Sequence, residues 1–160
     1  MPSYSVSASE IKYASGSSWT SGKARQGVYS STRYEGALNF ADLANFSFSN
    51  IAVTGIQMRV TFGPTGGAST KYLTLYGGAK NSISGSITSM RGSALGAVSV
   101  SNAFDRTVTL NFNSGSEAAI YNALVNFFTS GNRVLILYVP KTRGTYSGGY
   151  CYDYLSVTAM

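Results

Sequence analysis

The chain has 160 residues and a net charge of +6, and 44% of its residues are hydrophobic while only 11% are charged. Because it contains no histidine and a single cysteine, Cys151, its composition excludes histidine-dependent nucleophilic catalysis, histidine or thiolate metal sites, and an internal disulfide. The apolar content excludes a disordered chain, and we expect one domain over residues 1–160 that forms its core without a metal or a crosslink.

The first part of the chain alternates apolar and polar residues with the period of a half-buried β-strand. Residues 4–8 form the first predicted strand, and two more are predicted at 27–31 and 34–40. Between them, residues 14–23 are dense in serine and glycine and are predicted to form a loop. The clearest alternation follows at 56–62 and ends in a glycine-rich turn.

The second part of the chain continues the strand pattern. Strands are predicted at 71–76 and 104–112, with several short strands at 77–103. Residues 133–139 form a nearly continuous apolar run that ends at a proline, which indicates a buried strand. Residues 150–159 alternate again and form the last predicted strand.

A single helix is predicted near residues 114–130. Ser114 and Glu117 have the spacing of a capping box, in which the two residues satisfy each other's backbone amides at a helix start. The apolar residues that follow at helical spacing form a core-facing stripe: Ile120, Ala123, Leu124, Phe127 and Phe128. Gly131 is placed to end the helix, and the two phenylalanines are predicted to cover one open end of the fold.

These elements predict a mainly β fold, an antiparallel β-sandwich or jelly roll of about eight to ten short strands with one α-helix. A parallel βαβ fold is disfavoured, because it needs a helix in most of its crossovers. No run of about 18 apolar residues occurs, so we expect no membrane insertion. The basic residues are scattered along the chain, and no specific nucleic-acid motif is present.

The acidic residues are the remaining candidates for catalysis, and they are Glu10, Glu35, Asp42, Asp105, Glu117 and Asp153. Two carboxylates that face each other across a cleft could hydrolyse a glycoside, so a small two-carboxylate glycoside hydrolase is one alternative function. Each acid is nevertheless expected to lie at the surface or in a turn. We therefore expect no catalytic residue, no metal site and no cofactor.

Four aromatic residues are the candidate ligand-binding residues. Trp19 lies in the loop predicted at 14–23, and Tyr146 lies in a glycine-rich loop before the last strand. Tyr150 and Tyr152 share one face of that last strand. Exposed aromatic rings can stack on sugars or anchor a protein partner, whereas most tyrosines pack one edge in the core and leave the hydroxyl in water.

The order of several strand patterns resembles a family of structural modules. The patterns are ARQG at 24–27, YEGALNF at 34–40, IQMRVTF at 56–62 and KYLTLY at 71–76, with DYLSVT at 153–158 near the end. This series is similar to the β-sandwich modules of bacteriophage structural proteins, including tail, head-fibre and decoration proteins, and of related bacterial surface proteins. The resemblance implies a virion component, such as a decoration, head-fibre, tail or baseplate protein.

The function expected from this resemblance is structural rather than enzymatic. Its partners would be other virion proteins or copies of itself, as a homo-oligomer such as a trimer, and it would also contact glycans on the host surface. A carbohydrate-binding module or adhesin is the alternative that the aromatic residues suggest. The N-terminal residues lack the basic and apolar regions of a signal peptide, which agrees with synthesis in the host cytoplasm and localisation in the virion.

Overall fold

Eleven strands and two helices form the part of the chain that this computed structural model describes, which is residues 3–14, 18–21, 24–29, 32–41, 43, 53–62, 70–101, 106–138 and 149–159. In chain order the elements are β1 (Ser3–Ser7), β2 (Glu10–Ala14), β3 (Trp19–Ser21), β4 (Ala24–Tyr29), β5 (Thr32–Asn39), β6 (Val53–Phe62), β7 (Thr70–Gly78), α1 (Ile87–Met90), β8 (Arg91–Ser101), β9 (Arg106–Asn113), α2 (Ala118–Thr129), β10 (Val134–Tyr138) and β11 (Gly149–Ala159). The predicted mainly β, antiparallel, sandwich-like fold is confirmed, with more strands and one more helix than the sequence predicted.

The strands follow one path, β8-β7-β10-β5-β4-β11-β6-β9, with β2 beside β5, β3 beside β2, and β1 beside β11. We call β8, β7, β10, β5, β2 and β3 the front sheet, and β9, β6, β11 and β1 the back sheet. Strand β4 joins them, because its residues 24–26 pair with β11 and its residues 27–29 pair with β5.

The hydrophobic core lies between the inner faces of the two sheets. Alternation along β6 shows why these strands form a two-sided layer: Ile56, Met58 and Val60 are buried, whereas Gln57 and Arg59 are exposed. The front sheet, the back sheet and α2 all contribute to this core, with Leu38, Leu73, Leu75, Val98, Leu135, Leu137, Leu110, Phe112, Ile120, Leu124 and Phe128 among its other members. Burying one such side chain fully stabilises the fold by about 1.5–3 kcal/mol, so this layer dominates stability.

The outer face of the front sheet is also buried over part of its area. A second cluster, consisting of Ala37, Ile83, Met90, Val134 and Ile136, lies there and is separate from the main core. Residues 79–90 precede β8 and supply two of its members, so they pack on the outside of the sheet. The apolar run in β10 is therefore explained, since its alternate residues enter two different clusters.

The predicted capping box at the start of the helix is wrong. Helix α2 begins at Ala118, after Glu117, which has a left-handed backbone (φ 56°) and makes no side-chain cap. The reason is a competing turn: Oδ1 of Asn113 accepts hydrogen bonds from the backbone amides of Gly115 (2.9 Å) and Ser116 (2.7 Å). This turn uses the residues that would have formed the first helical turn.

The predicted apolar stripe and the predicted helix end are confirmed. Ile120, Leu124 and Phe128 are buried, and the Phe128 ring lies 6.5 Å from the Phe40 ring in an edge-to-face contact. After the helix, the amide of Gly131 (φ 93°) donates to Phe128 and the amide of residue 132 donates to residue 127, which is a Schellman motif. Helix α2 contacts β6, β8 and β9, so it packs across both sheets.

Two predicted segments differ from the structure. The sequence predicts a loop at 14–23, but β2 extends to Ala14 and residues 19–21 form β3, which pairs with β2. Several short strands are predicted at 77–103, whereas the structure has α1 and one long strand, β8. The segment that carries Ile83 forms no β-strand, and Ile83 packs into the second cluster instead. The turn predicted at 63–67 lies outside the described residues.

Candidate functional site

Four residues from four strands form a cluster on the outer face of the front sheet, and we call Glu35, Tyr76, Arg91 and Tyr138 the Arg91 cluster. The strand register brings them together. Ile136 is paired with Ala37 on one side and with Tyr76 on the other. Glu35 and Tyr138 lie two residues from Ala37 and Ile136, so the period of a strand places them on the same face. Arg91 begins β8 opposite Gly78, next to the strand that carries Tyr76.

The Arg91 guanidinium is held by three side chains. Its Nε lies 3.4 Å from Oε1 of Glu35. Its Cζ lies 4.7 Å from the centre of the Tyr138 ring and 5.5 Å from the centre of the Tyr76 ring. The two rings contact each other edge to face, with centres 5.9 Å apart. A cation over an aromatic ring gains about 0.5–2 kcal/mol, depending on its desolvation, so both rings help to fix the guanidinium.

The two members of the ion pair differ sharply in exposure. The Glu35 side chain is 3% exposed, whereas the Arg91 side chain is 27% exposed. Glu35 therefore does not lie at the surface or in a turn as predicted, because it sits inside a strand that is covered on both faces. A buried carboxylate is costly unless a cation compensates it, and Arg91 supplies that charge. Of the two side chains, that of Arg91 is the one exposed to solvent.

The terminal amino groups of Arg91 remain available as donors. Within the described residues Arg91 donates no hydrogen bond, and its contact with Glu35 is closest through Nε. A guanidinium presents its donors as a planar fork, which matches the two oxygens of a carboxylate. The cluster therefore has the chemistry of a positioned anion-binding group with aromatic walls.

The outer face of the back sheet, which we call the back face, has a different character. Of the side chains that the structure describes on this face, the exposed ones are Ser5, Ser7, Gln57, Arg59, Thr107, Thr109 and Asn111. A pocket of about 200 Å³ opens beside this face and is lined by residues 54–57 and 111–113. Gly55 leaves room there, since a Cβ at this position would make only ordinary contacts of 3.7 Å or more. Nε2 of Gln57 donates to Oδ1 of Asn111 at 2.5 Å, so two amides lie together at the pocket.

Two comparisons with known sequences were negative. No known family model matches the sequence, and no curated protein matches it. The resemblance to bacteriophage modules therefore stays a prediction. Within the described residues there is no group of three or more acids or cysteines that could hold a metal ion, and no helix there is long and apolar enough to cross a membrane.

Trp19 lies on the same face of the front sheet as the Arg91 cluster. It is the first residue of β3 and pairs with Ala14, so the prediction that it lies in a loop is wrong. Its side chain is half-buried and packs against the second cluster, as Tyr76 also does. The indole Nε1 is buried and donates no hydrogen bond within the described residues. The position of Trp19 is therefore compatible with the ligand-binding role predicted for it.

The other three predicted site residues are not brought together by what the structure describes. Tyr146 lies outside the described residues. Tyr150 and Tyr152 belong to β11, where the backbone of Tyr150 pairs with Arg25 on one side and Thr61 on the other. Their role in ligand binding stays a prediction.

Sequence reasoning did not select any member of the Arg91 cluster as a binding residue. A weak signal was present at Glu35, because a carboxylate inside an apolar strand requires a buried partner. The identity of that partner was not readable from the sequence, since Arg91 is 56 positions away and the strand order alone places it there.

Proposed function

We propose that the protein is a non-enzymatic structural component of a virion that assembles with copies of itself or with other virion proteins through its back face. One observation carries this proposal: among the seven exposed side chains that the structure describes on the back face, only Arg59 is charged. The rest are hydroxyl or amide side chains, most of them on the regular ladder of β6 and β9.

A face with so few charges is more typical of a protein interface than of a surface that stays exposed to solvent. Charged residues are depleted at the centre of protein interfaces, and serine- and asparagine-rich surfaces make adaptable, wet contacts. A typical soluble protein has about 25% charged residues, well above the 11% of this chain. The low charge of the back face is therefore part of a general feature of the molecule.

The pocket beside the back face adds a specific point of contact. It is lined by residues 54–57 and 111–113, which include the amide side chains of Gln57, Asn111 and Asn113. A polar side chain of a partner could enter it and exchange hydrogen bonds with Gln57 and Asn111. Pockets that receive a partner side chain concentrate binding energy and fix the register of an interface.

The virion setting is supported by the resemblance of the strand series to bacteriophage structural modules. Within that series, the patterns at 34–40, 56–62 and 71–76 fall in β5, β6 and β7. Capsid or tail genes beside the gene for this protein would support the setting, and a neighbourhood of metabolic genes would count against it.

Assembly through the back face is tested by the oligomeric state. We expect size-exclusion chromatography with light scattering to give a defined oligomer, with an interface that buries more than about 1,000 Å². Thr109→Lys adds a second charge to the back face, on edge strand β9 opposite Arg59, and should shift the protein to monomer. Thr20→Lys is the matched control, since Thr20 is an exposed strand threonine on the front sheet. A wild-type protein that is monomeric and binds no particle, or equal effects of the two variants, would refute the proposal.

A second candidate function, carbohydrate binding, is favoured by a separate observation. Tyr76 and Tyr138 place two aromatic rings beside a positioned guanidinium on the outer face of the front sheet, and Trp19 lies on the same face. Aromatic rings beside a few fixed polar groups are the usual components of sugar-binding and small-ligand sites. This function and assembly through the back face use opposite sides of the molecule, so one protein can have both.

A further inference from the structure

We propose that the Arg91 cluster binds the carboxylate of an acidic sugar, such as a sialic acid or a uronic acid. This inference rests on the carbohydrate-binding function and is independent of assembly through the back face. The Arg91 amino groups donate to the carboxylate, and the sugar ring packs against the aromatic side chains of the front sheet.

The donor at this site has a fixed position. Arg91 is held by Glu35 through Nε and by the rings of Tyr76 and Tyr138. A long side chain that is already ordered loses little conformational freedom when a ligand arrives. Its closest contact to Glu35 is through Nε, and its terminal amino groups donate no hydrogen bond within the described residues, so they are the donors offered to a ligand.

The ion pair presents its positive member to solvent. Glu35 is almost fully buried, and Arg91 is about a quarter exposed, so the exposed part of the pair is the cation. An approaching anion contacts the guanidinium, while the carboxylate of Glu35 lies behind it. The net charge of +6 adds a general attraction for anionic ligands.

The number of donors selects the class of anion. One guanidinium, partly compensated by one carboxylate, suits a singly charged group, whereas phosphate sites gather several cationic or backbone donors. A carboxylate matches the planar fork of arginine in both charge and shape. The cluster therefore favours a carboxylate over a phosphate.

The aromatic rings select a sugar as the carrier of that carboxylate. Trp19 and Tyr76 pack against the second cluster on the outer face of the sheet, and Tyr138 contacts Tyr76. Aromatic rings have the width of a sugar ring and can pack against its C–H face. An acidic amino acid side chain would satisfy the guanidinium but would leave these rings unused.

The test compares ligands that differ by one acidic residue. We expect isothermal titration calorimetry to show 3′-sialyllactose or trigalacturonate binding with a Kd of about 1 mM or tighter, and lactose binding at least about tenfold more weakly. Glutamate carries a carboxylate without a sugar and should also bind at least about tenfold more weakly. Because Trp19 is the only tryptophan, a change in its fluorescence on titration would place the ligand on the front sheet.

Variants of the cluster test the role of each residue. Arg91→Lys keeps the charge but loses the fork and should weaken binding about tenfold, and Arg91→Gln should weaken it further. Glu35→Gln should weaken it several-fold because Arg91 loses its anchor. Arg59→Gln is the control, since Arg59 is an exposed arginine on the back face. Circular dichroism checks folding, and the double variant E35Q/R91Q keeps no unpaired charge if Arg91→Gln alone fails to fold.

Three outcomes would overturn the proposal. The first is no binding of either acidic ligand at about 10 mM. The second is unchanged affinity in a folded variant without Arg91, or an equal loss in Arg59→Gln. The third is glutamate binding as tightly as the acidic sugars, which would indicate a protein carboxylate as the partner. Equal binding of lactose and 3′-sialyllactose would refute recognition of the carboxylate but would still support carbohydrate binding.

Discussion

Gly96→Ala should be the most destabilising of the small substitutions in this fold. Gly96 lies in β8 at φ 150°, a conformation that residues with a Cβ rarely adopt. A Cβ at this position would overlap Cγ1 of Ile120 in α2 and lie 3.1 Å from Cδ1 of the same side chain. Ile120 is buried in the main core, so it has little room to move away.

The expected cost follows from these two effects. Overpacking a core by one methyl costs about 1–3 kcal/mol. A non-glycine residue held in a sparsely populated backbone region costs a further 1–3 kcal/mol, roughly. Alanine recovers about 0.4–1 kcal/mol by reducing the entropy of the unfolded chain. The free energy of unfolding should therefore fall by about 1–5.5 kcal/mol.

Two other glycines separate the backbone effect from the steric effect. Gly131 has φ 93°, and a methyl group added there would have no atom within 4 Å, so Gly131→Ala should show the backbone cost alone. At Gly115 a Cβ would lie 3.5 Å from Oδ1 of Asn113, with no unusual φ, so Gly115→Ala should be nearly neutral. Urea unfolding followed by circular dichroism gives all three free energies under one set of conditions.

A double variant tests whether Ile120 causes the steric cost. Ile120→Ala alone should destabilise by about 2–5 kcal/mol, because it leaves a cavity in the core. In G96A/I120A the new methyl occupies part of that cavity, so the double variant should cost less than the sum of the single variants by about 1–3 kcal/mol. Additive costs, or a Gly96→Ala variant within about 0.5 kcal/mol of wild type, would show that α2 does not pack on β8 in this way.

Three further predictions concern the helix start, the buried ion pair and acid stability. Glu117→Gly should stabilise the protein by about 0.5–1 kcal/mol in urea unfolding, because it relieves a left-handed backbone, and a loss of stability would instead support a cap. Arg91→Gln should destabilise by about 2–4 kcal/mol, whereas the apolar pair E35L/R91M should be at least as stable as wild type, as measured in the same assay. The amide of Asn39 donates to Glu10 and holds the pKa of Glu10 below its ordinary value, with a smaller contribution from a lysine. The stabilisation from this interaction is present above the unfolded pKa of Glu10 and is lost as pH falls through the lower folded pKa. Between about pH 5 and pH 3 the Glu10→Gln variant should therefore lose less stability than wild type. The same pH dependence of stability in both proteins would contradict this prediction.

The positions of the strands could be predicted wherever one face of the strand is buried and the other is exposed to solvent. Alternation at 56–62 and 104–112 gave β6 and β9 with small boundary errors, because the period of a strand is imposed on the sequence by the core. The apolar run in β10 was also predictable, although the reason for it was not. That reason is the segment at residues 79–90, which covers the outer face of the front sheet without forming a strand.

The helix start and the site were not predictable for a common physical reason. At Glu117 the capping pattern competed with a turn made by Asn113, and the sequence does not show which of two local hydrogen-bond patterns has the lower energy. The Arg91 cluster depends on pairings between strands that are distant in the chain. Cross-strand neighbours follow from topology and register, and neither is encoded by the period of one strand.

The Glu35–Arg91 ion pair has a desolvation cost that covering the front sheet with side chains does not require. Ile83 and Met90 show that apolar side chains cover this face well. An apolar pair at positions 35 and 91 would extend that cover and would avoid the desolvation of two charges. What only the charged pair provides is a cation that is fixed, flanked by aromatic rings and still reachable by solvent. A charged pair on a face that apolar side chains otherwise cover is what the proposed acidic-sugar ligand requires, whereas stability alone would favour an apolar pair.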